Sequence, residues 1–171
     1  MTMRAADVDD AAAIAQIYNE GIEDRLATFE TEPRTAKDIT SWLEENLPLV
    51  VVESDDTVVA WAVAHRYRKR AAYAGVSEFS VYVARAERGR GFGRAAVQGL
   101  IDLCERRGLW KLVSRVFPEN EASLALCRSL GFREVGIYRR HARLDGEWRD
   151  VVIVERLLGD VARAERTQRT A

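Results

Sequence analysis

The sequence predicts a mixed α/β domain in which one sheet carries helices on both faces. Strand-like runs alternate with amphipathic helical patterns in the second half, which implies a strand–helix–strand crossover. Neighbouring runs joined by short polar turns imply antiparallel pairing as well. At 171 residues, 47% of them hydrophobic, the chain can bury one sizeable core but has no room for two full-sized domains.

Taken in order, a short strand is expected near Met3–Ala5, followed by a helix that Asp7 or Asp9 can cap and that runs to about Glu23. Ile14, Ile17 and Ile22 are its core contacts. Thr35-Ala36-Lys37-Asp38 approximates a capping box ahead of Ile39, Trp42 and Leu43, so a second helix starts at Thr35. Strand-like runs follow at Leu49–Glu53, Val58–His65 and Val76–Ala84, the first two joined by an Asp55-Asp56 turn. A helix from about Gly91 places Phe92, Ala96, Val97, Leu100, Ile101 and Cys104 on one stripe, and Gly108 stops it. Lys111–Phe117 reads as a strand, and Pro118-Glu119-Asn120 opens a helix that Gly131 ends. Two last strands run through about Phe132–Tyr138 and Trp148–Leu157. Residues 1–158 read as a single domain and 159–171 as a polar tail.

The net charge of −1 is a cancellation. Residues 1–60 hold 14 acids and 4 bases, whereas His65 to Arg115 holds 12 bases and 4 acids. A local positive field of this kind concentrates anions whatever the charge of the whole chain. Two cysteines, Cys104 and Cys127, and two histidines, His65 and His141, lack metal-ligand spacing, so neither a metal site nor a disulfide framework is expected. The first ten residues lack the apolar stretch of a secretory signal, and the longest apolar run, Val58–Ala64, is too short to span a bilayer. A cytoplasmic protein is the default expectation, with no membrane partner. The basic region carries few interleaved aromatics, which argues against a nucleic-acid partner.

The strongest local signal is Val81-Tyr82-Val83-Ala84 followed by Arg88-Gly89-Arg90-Gly91-Phe92-Gly93-Arg94. A strand leads into a glycine-rich turn in which a helix begins. The first helical N–H groups have no partners and suit a phosphate, helped by the helix dipole and the arginines. Gly91-x-Gly93-x-x-Ala96 also fits the fingerprint of an NAD-type dinucleotide-binding oxidoreductase, although it lies mid-chain and lacks the expected acid about 20 residues on.

Arg88-x-x-Gly91-x-Gly93 resembles the acetyl-CoA signature of the Gcn5-related N-acetyltransferases (GNAT). The resemblance extends from Ile17 to Leu157. Ile17-Tyr18-Asn19, Glu78-x-Ser80-Val81-Tyr82-Val83, Asn120-Glu121-Ala122-Ser123, Leu130-Gly131-Phe132 and Gly146-x-Trp148-x-Asp150-Val151 are similar to the phosphinothricin acetyltransferase branch. Gly21–Arg25 and Thr28–Thr31 look more like its arsinothricin-resistance members. The resemblance implies a twisted, mostly antiparallel sheet of about six or seven strands and a homodimer. It also implies transfer of acetyl from acetyl-CoA to the α-amine of phosphinothricin, arsinothricin, methionine sulfoximine or methionine sulfone, without a metal. A same-fold enzyme acting on a peptide N-terminus or another amine is the near alternative.

By position, the resemblance makes Glu78 the general base. Strand alternation puts Glu78 on one face with Ser80 and Tyr82, opposite Phe79, Val81 and Val83. Arg68, Lys69 and Arg70 match the acceptor-binding stretch, where they could clamp an α-carboxylate and a second anion. Val81, Tyr82 and Val83 would meet the pantetheine through main-chain groups. Arg88, Gly89, Arg90, Gly91, Phe92, Gly93 and Arg94 would hold the pyrophosphate, while Asn120 and Ser129 would make further cofactor contacts. Asn120 also reads as a plain helix cap. Cys127 departs from the tyrosine or histidine usual in the family. Its thiol could protonate the departing thiolate, could equally be a small buried hydrophobe, or the thiolate could leave unassisted. Leu144 also departs, where a lysine is common. The acidic first 60 residues read as a solvated face, with Tyr18–Asn19 and Gly21–Thr31 as the exceptions.

Overall fold

The computed structural model describes residues 1–169. A strand β1 (Thr2–Ala5) leads through one 3-10 turn into α1 (Ala11–Glu23), and α2 (Ala36–Glu44) follows a loop. Next come β2 (Leu49–Ser54), β3 (Thr57–Arg66), β4 (Val76–Val83), α3 (Phe92–Arg106), β5 (Lys111–Val116) and α4 (Glu121–Ser129). The chain closes with β6 (Arg133–Leu144), β7 (Glu147–Leu157) and α5 (Gly159–Arg169). The stretch set apart as a polar tail is thus helical over most of its length, and its last two residues lie outside the described ones.

The local signals work by satisfying backbone groups. Asp7 and Thr35 each form a capping box with the acid three residues on, Asp10 and Asp38. Asp55 and Asp56 both take positive φ, 51° and 59°, the mirror-image turn that matches strand twist in a two-residue hairpin. β6 runs six residues past its expected end at Tyr138. The polar run Arg139-Arg140-His141 breaks the apolar alternation. The strand absorbs it as a bulge, with Arg140 at φ 47° and its N–H donated to Asp150 (2.7 Å).

The seven strands lie in the order β1-β2-β3-β4-β5-β7-β6. Only β4 and β5 pair in parallel; the other pairs are antiparallel. A dinucleotide-binding fold needs a mainly parallel sheet, so the Gly91-x-Gly93-x-x-Ala96 match has no such setting here. Alternating residues serve two cores. Phe79 and Ala62 face α3 and α4, while Trp61, Val63 and Tyr82 face α1 and α2. A third cluster of Phe117, Leu144 and Val151, with Phe29 against it, ties the β6–β7 hairpin to the loop after α1.

Arg4 fixes β1 to the start of α1 by donating to both oxygens of Asp10 (2.7 and 2.8 Å), and the Asp7 N–H donates there too (2.8 Å). Burial alone would raise the Asp10 carboxyl, but these hydrogen bonds outweigh it and hold it below its ordinary value. A depressed folded-state value gives stability that is full above the unfolded pKa of about 3.9 and is lost as pH falls through the folded value. Asp10→Asn should therefore cost about 1–3 kcal/mol at pH 7. In thermal melts, the gap between wild type and this variant should narrow below about pH 4. A gap that stays constant with pH would contradict the assignment.

Candidate active site

The defining feature is a seam that opens in the middle of the sheet. β4 and β5 pair over only three rungs, Val76↔Lys111, Ser77↔Leu112 and Glu78↔Val113. Beyond Glu78 the strands part, and the Phe79 carbonyl accepts from the Ser114 hydroxyl (2.9 Å) instead of a backbone amide. Ala84 donates its N–H to Val59 on the β3 side. Along an extended strand such groups alternate in direction, so the amides of Val83 and Val81 point into the opening.

The opening has an inner pocket of about 50 Å³ and an outer cleft of about 450 Å³. Val81, Tyr82 and Val83 form one wall of the cleft, the Arg88–Arg94 turn a second, and Asn120, Ala122, Ser123 and Leu126 a third. Because α3 follows β4 and α4 follows β5, both helices begin at this cleft. Gly21, Asp24, Leu26 and Ala27 complete its rim, so the acidic first third does reach the site through this segment.

Gly91 has φ 88° and precedes α3 without any side-chain cap, which leaves the first-turn amides free. Gly89 has φ 77°, and a Cβ on either glycine would meet nothing within 4 Å, so the backbone is open to a ligand. The surrounding cations are anchored. Arg88 donates to the Val83 carbonyl (3.2 Å) and pairs with Asp24 (2.6 Å), and Arg85 also holds Asp24 (2.8 Å). Burial would raise the Asp24 carboxyl, but the two arginines keep it below its ordinary value. Arg94 donates to the Ser129 hydroxyl (2.7 Å) and carbonyl (3.0 Å), so Ser129 positions Arg94 and does not itself line the cleft. Arg90 pairs with Glu87 and lies over Phe92, whose ring is buried, so Phe92 offers only its backbone. Asn120 caps α4 through the Ser123 N–H (3.1 Å), while its amide also donates to the Leu26 carbonyl (3.3 Å).

Glu78 stands at the point of opening, directly opposite His65 in the β3–β4 register. Arg115 grips its carboxylate, Nε to Oε1 at 2.7 Å and Nη2 to Oε2 at 2.8 Å. His65 packs against Trp42 (5.0 Å), and burial lowers its pKa against the pull of Glu45 and Glu78. Tyr82 turns its ring into the core, stacked on Trp61 (4.8 Å) and beside Tyr18 (4.7 Å), which leaves only its main chain for the cleft. Gly21 makes room for that ring, since a Cβ there would come within 2.6 Å of it. Arg68, Lys69 and Arg70 are exposed on the β3–β4 loop, outside both cavities, and make no ion pair among the described residues. Cys127 is buried against the inner pocket, and burial pushes its thiol up to about 11. The motifs do not single out Arg115 or His65, whereas Asp24 lies in the quoted Gly21–Arg25 segment without a role assigned to it. Arg115 shares the face of Glu78 only through the parallel register, which no local pattern records.

The sheet is thus split between its two parallel strands, with an anion-ready turn on one lip and a carboxylate at the fork. Residues 14–132 match the acetyltransferase (GNAT) family, and the chain belongs to it. A phosphinothricin N-acetyltransferase from Alcaligenes faecalis is 34% identical over 92% of this chain and 82% of its own length. An L-methionine sulfoximine/L-methionine sulfone acetyltransferase from Salmonella typhimurium is 30% identical over 95% of this chain and 97% of its own. A crystal structure of a phosphinothricin acetyltransferase from Sinorhizobium meliloti in complex with acetyl-CoA superposes with a TM-score of 0.85. It is 29% identical, over 93% of this chain and 89% of that one. Among the described residues, no helix is long and apolar enough to cross a membrane.

Proposed function

We propose that the protein transfers the acetyl group of acetyl-CoA to the α-amine of a small amino acid or analogue, of the phosphinothricin, arsinothricin, methionine sulfoximine or methionine sulfone kind. The observation that carries this reading is the opened β4–β5 seam, with Glu78 at the fork and inward-facing amides along the cleft. The names of the relatives support the choice of acceptor.

The cleft fits a long, narrow anionic cofactor. Free amides at the start of α3, with Arg88 and Arg94 beside them, suit a pyrophosphate. The Val81 and Val83 main chain suits amide groups of a pantetheine arm, with Asn120 opposite. Bound there, acetyl-CoA supplies an activated thioester. Glu78, directly or through a water, takes a proton from the acceptor's ammonium, because only the neutral amine is a nucleophile. The amine then forms the C–N bond, the Val83 amide stabilises the oxyanion, and the C–S bond breaks to release the thiolate. One amide, one CoA thiol and one proton result. Arg68, Lys69 and Arg70, which make no ion pair among the described residues, would receive the acceptor's carboxylate in this reading.

Cys127 is a weak acid for the last step. A thiol near 11 giving its proton to a thiolate whose thiol titrates near ~8.5 works uphill by more than two pKa units. Cys127→Ala should keep kcat within about threefold, with any loss coming from packing. A hundredfold fall in kcat with an unchanged melting temperature would restore the thiol as acid.

In this reading residues 1–158 are the catalytic domain, working in the cytoplasm as a homodimer. The edge strand β6 supports pairing with a second copy, because Val135, Ile137 and Tyr138, like Trp148 on β7, stand exposed. The test of the function is CoA-thiol release with acetyl-CoA and a panel of these four analogues, ordinary amino acids and a peptide N-terminus. Turnover well above hydrolysis with at least one analogue is expected. Turnover with the peptide alone would move the enzyme to the other acceptor class.

A further inference from the structure

Arg115 is the one side chain that hydrogen-bonds Glu78 among the described residues, and it takes both carboxylate oxygens. Val113 is the register partner of Glu78, and strand alternation returns Arg115 to the same face two residues on. The pair is not sealed. The Glu78 side chain is 28% exposed and Arg115 47%, and Arg115 also borders the inner pocket. At about 50 Å³ that pocket holds an acetyl-sized group or one or two waters but not a whole acceptor.

A guanidinium that spans both oxygens of one carboxylate has the fork geometry to span the oxygens of another oxyanion. The nearest acid on β7, Glu155, is already taken by Lys111 and Arg133, so a second anion for Arg115 can come from the acceptor. The Arg68–Arg70 loop lies past the Val76 end of Glu78, whereas Arg115 is displaced toward the Ser80 end. An amine at Glu78 would thus have cations on both sides, suited to two acids on one small molecule.

We propose that Arg115 is the specificity-determining cation for a side-chain oxyanion of the acceptor. Glu78 holds it in place, with the guanidinium half-exposed beside the inner pocket. This assignment rests on the reading of Glu78 as base given above. The acceptor class it selects is an amino acid carrying a phosphinate-like or arsonate-like group.

Phosphinothricin and methionine sulfone have nearly the same shape and differ in that the phosphinate is charged and the sulfone is not. Steady-state kinetics of both acceptors, with wild type, Arg115→Gln and Arg115→Lys, separates the possibilities. Arg115→Gln should lower kcat/KM for phosphinothricin about 10- to 100-fold, the span of one charge-assisted hydrogen-bond pair. With methionine sulfone, which offers Arg115 no charge, the loss in kcat/KM should be at least about fivefold smaller than with phosphinothricin. Arg115→Lys should restore part of the phosphinothricin rate. Equal losses on both acceptors would reduce Arg115 to a structural role, and no loss on phosphinothricin would remove it from the site; either overturns the proposal. Wild-type turnover of neither acceptor would overturn the acceptor reading itself, and this assignment with it.

Discussion

Glu78→Gln is expected to lower kcat by about 10²- to 10⁴-fold, the range for losing a general base. The amide keeps the shape of the carboxylate and one oxygen for Arg115, so folding and acetyl-CoA binding should persist. The loss should therefore fall on kcat, with KM for acetyl-CoA changed by less than about threefold. The comparison is informative because Glu78 is the last rung of the β4–β5 pairing yet lines neither cavity, while its neighbours Phe79 and Ser80 and its partner Arg115 line the inner one. A variant with wild-type kcat would show that the amine loses its proton elsewhere. His65, opposite Glu78 in the register, would be the next group to test.

Gly91→Val is the second large effect, and it should appear in cofactor binding. A β-branched residue at φ 88° is a steric outlier costing about 1–3 kcal/mol. If the turn relaxes to relieve that strain, the amides at the start of α3 swing off the cleft. Losing two hydrogen bonds to a charged phosphate group then weakens acetyl-CoA binding by on the order of 10²-fold or more. Gly136→Ala on β6 is the control, because it has ordinary backbone angles and open space around it. KM for acetyl-CoA should rise steeply in the first variant and stay put in the second. Equal behaviour would mean that the glycine turn is only a connection between β4 and α3.

The parts of this fold legible in the sequence are those set by residues near one another in the chain. The capping box at Thr35, the Asp55-Asp56 hairpin and the Gly108 and Gly131 stops each satisfy local backbone groups and lie where the sequence predicts them, while of the two caps offered, Asp7 and Asp9, it is Asp7 that caps, on the turn ahead of α1. The face shared by Glu78, Ser80 and Tyr82 followed from alternation alone. What escaped depends on distant partners. The continuation of β6 through Arg139-Arg140-His141 needs Asp150 on the next strand to accept the Arg140 amide. The helix after Gly159 escaped because a mostly polar segment carries little apolar periodicity. The three-rung pairing of β4 with β5 is a register between strands some 35 residues apart, and the seam exists only because that pairing stops. Arg115 was invisible for the same reason. Its place in β5 reads as an ordinary solvated arginine until the parallel register sets it beside Glu78.

The chemistry followed the same division. Glycine spacing and arginine density pointed to an anion site before any coordinates, because a helix N-terminus is a local structure. The anion site and Glu78 share one opening because the β4–β5 pairing stops at Glu78, which no local pattern records. The acidic first third and the basic middle meet at this opening, where Asp24 is held by Arg88 and Arg85.

The central claim is direct transfer in the seam, with both substrates present at once and no acetylated enzyme. The most direct test varies acetyl-CoA against phosphinothricin, measures initial velocities and identifies the product by mass spectrometry. Intersecting lines, with one N-acetylated amino acid formed per CoA released, are the predicted result. Parallel lines with an acetyl group trapped on the protein, or CoA released without any N-acetyl product, would contradict it.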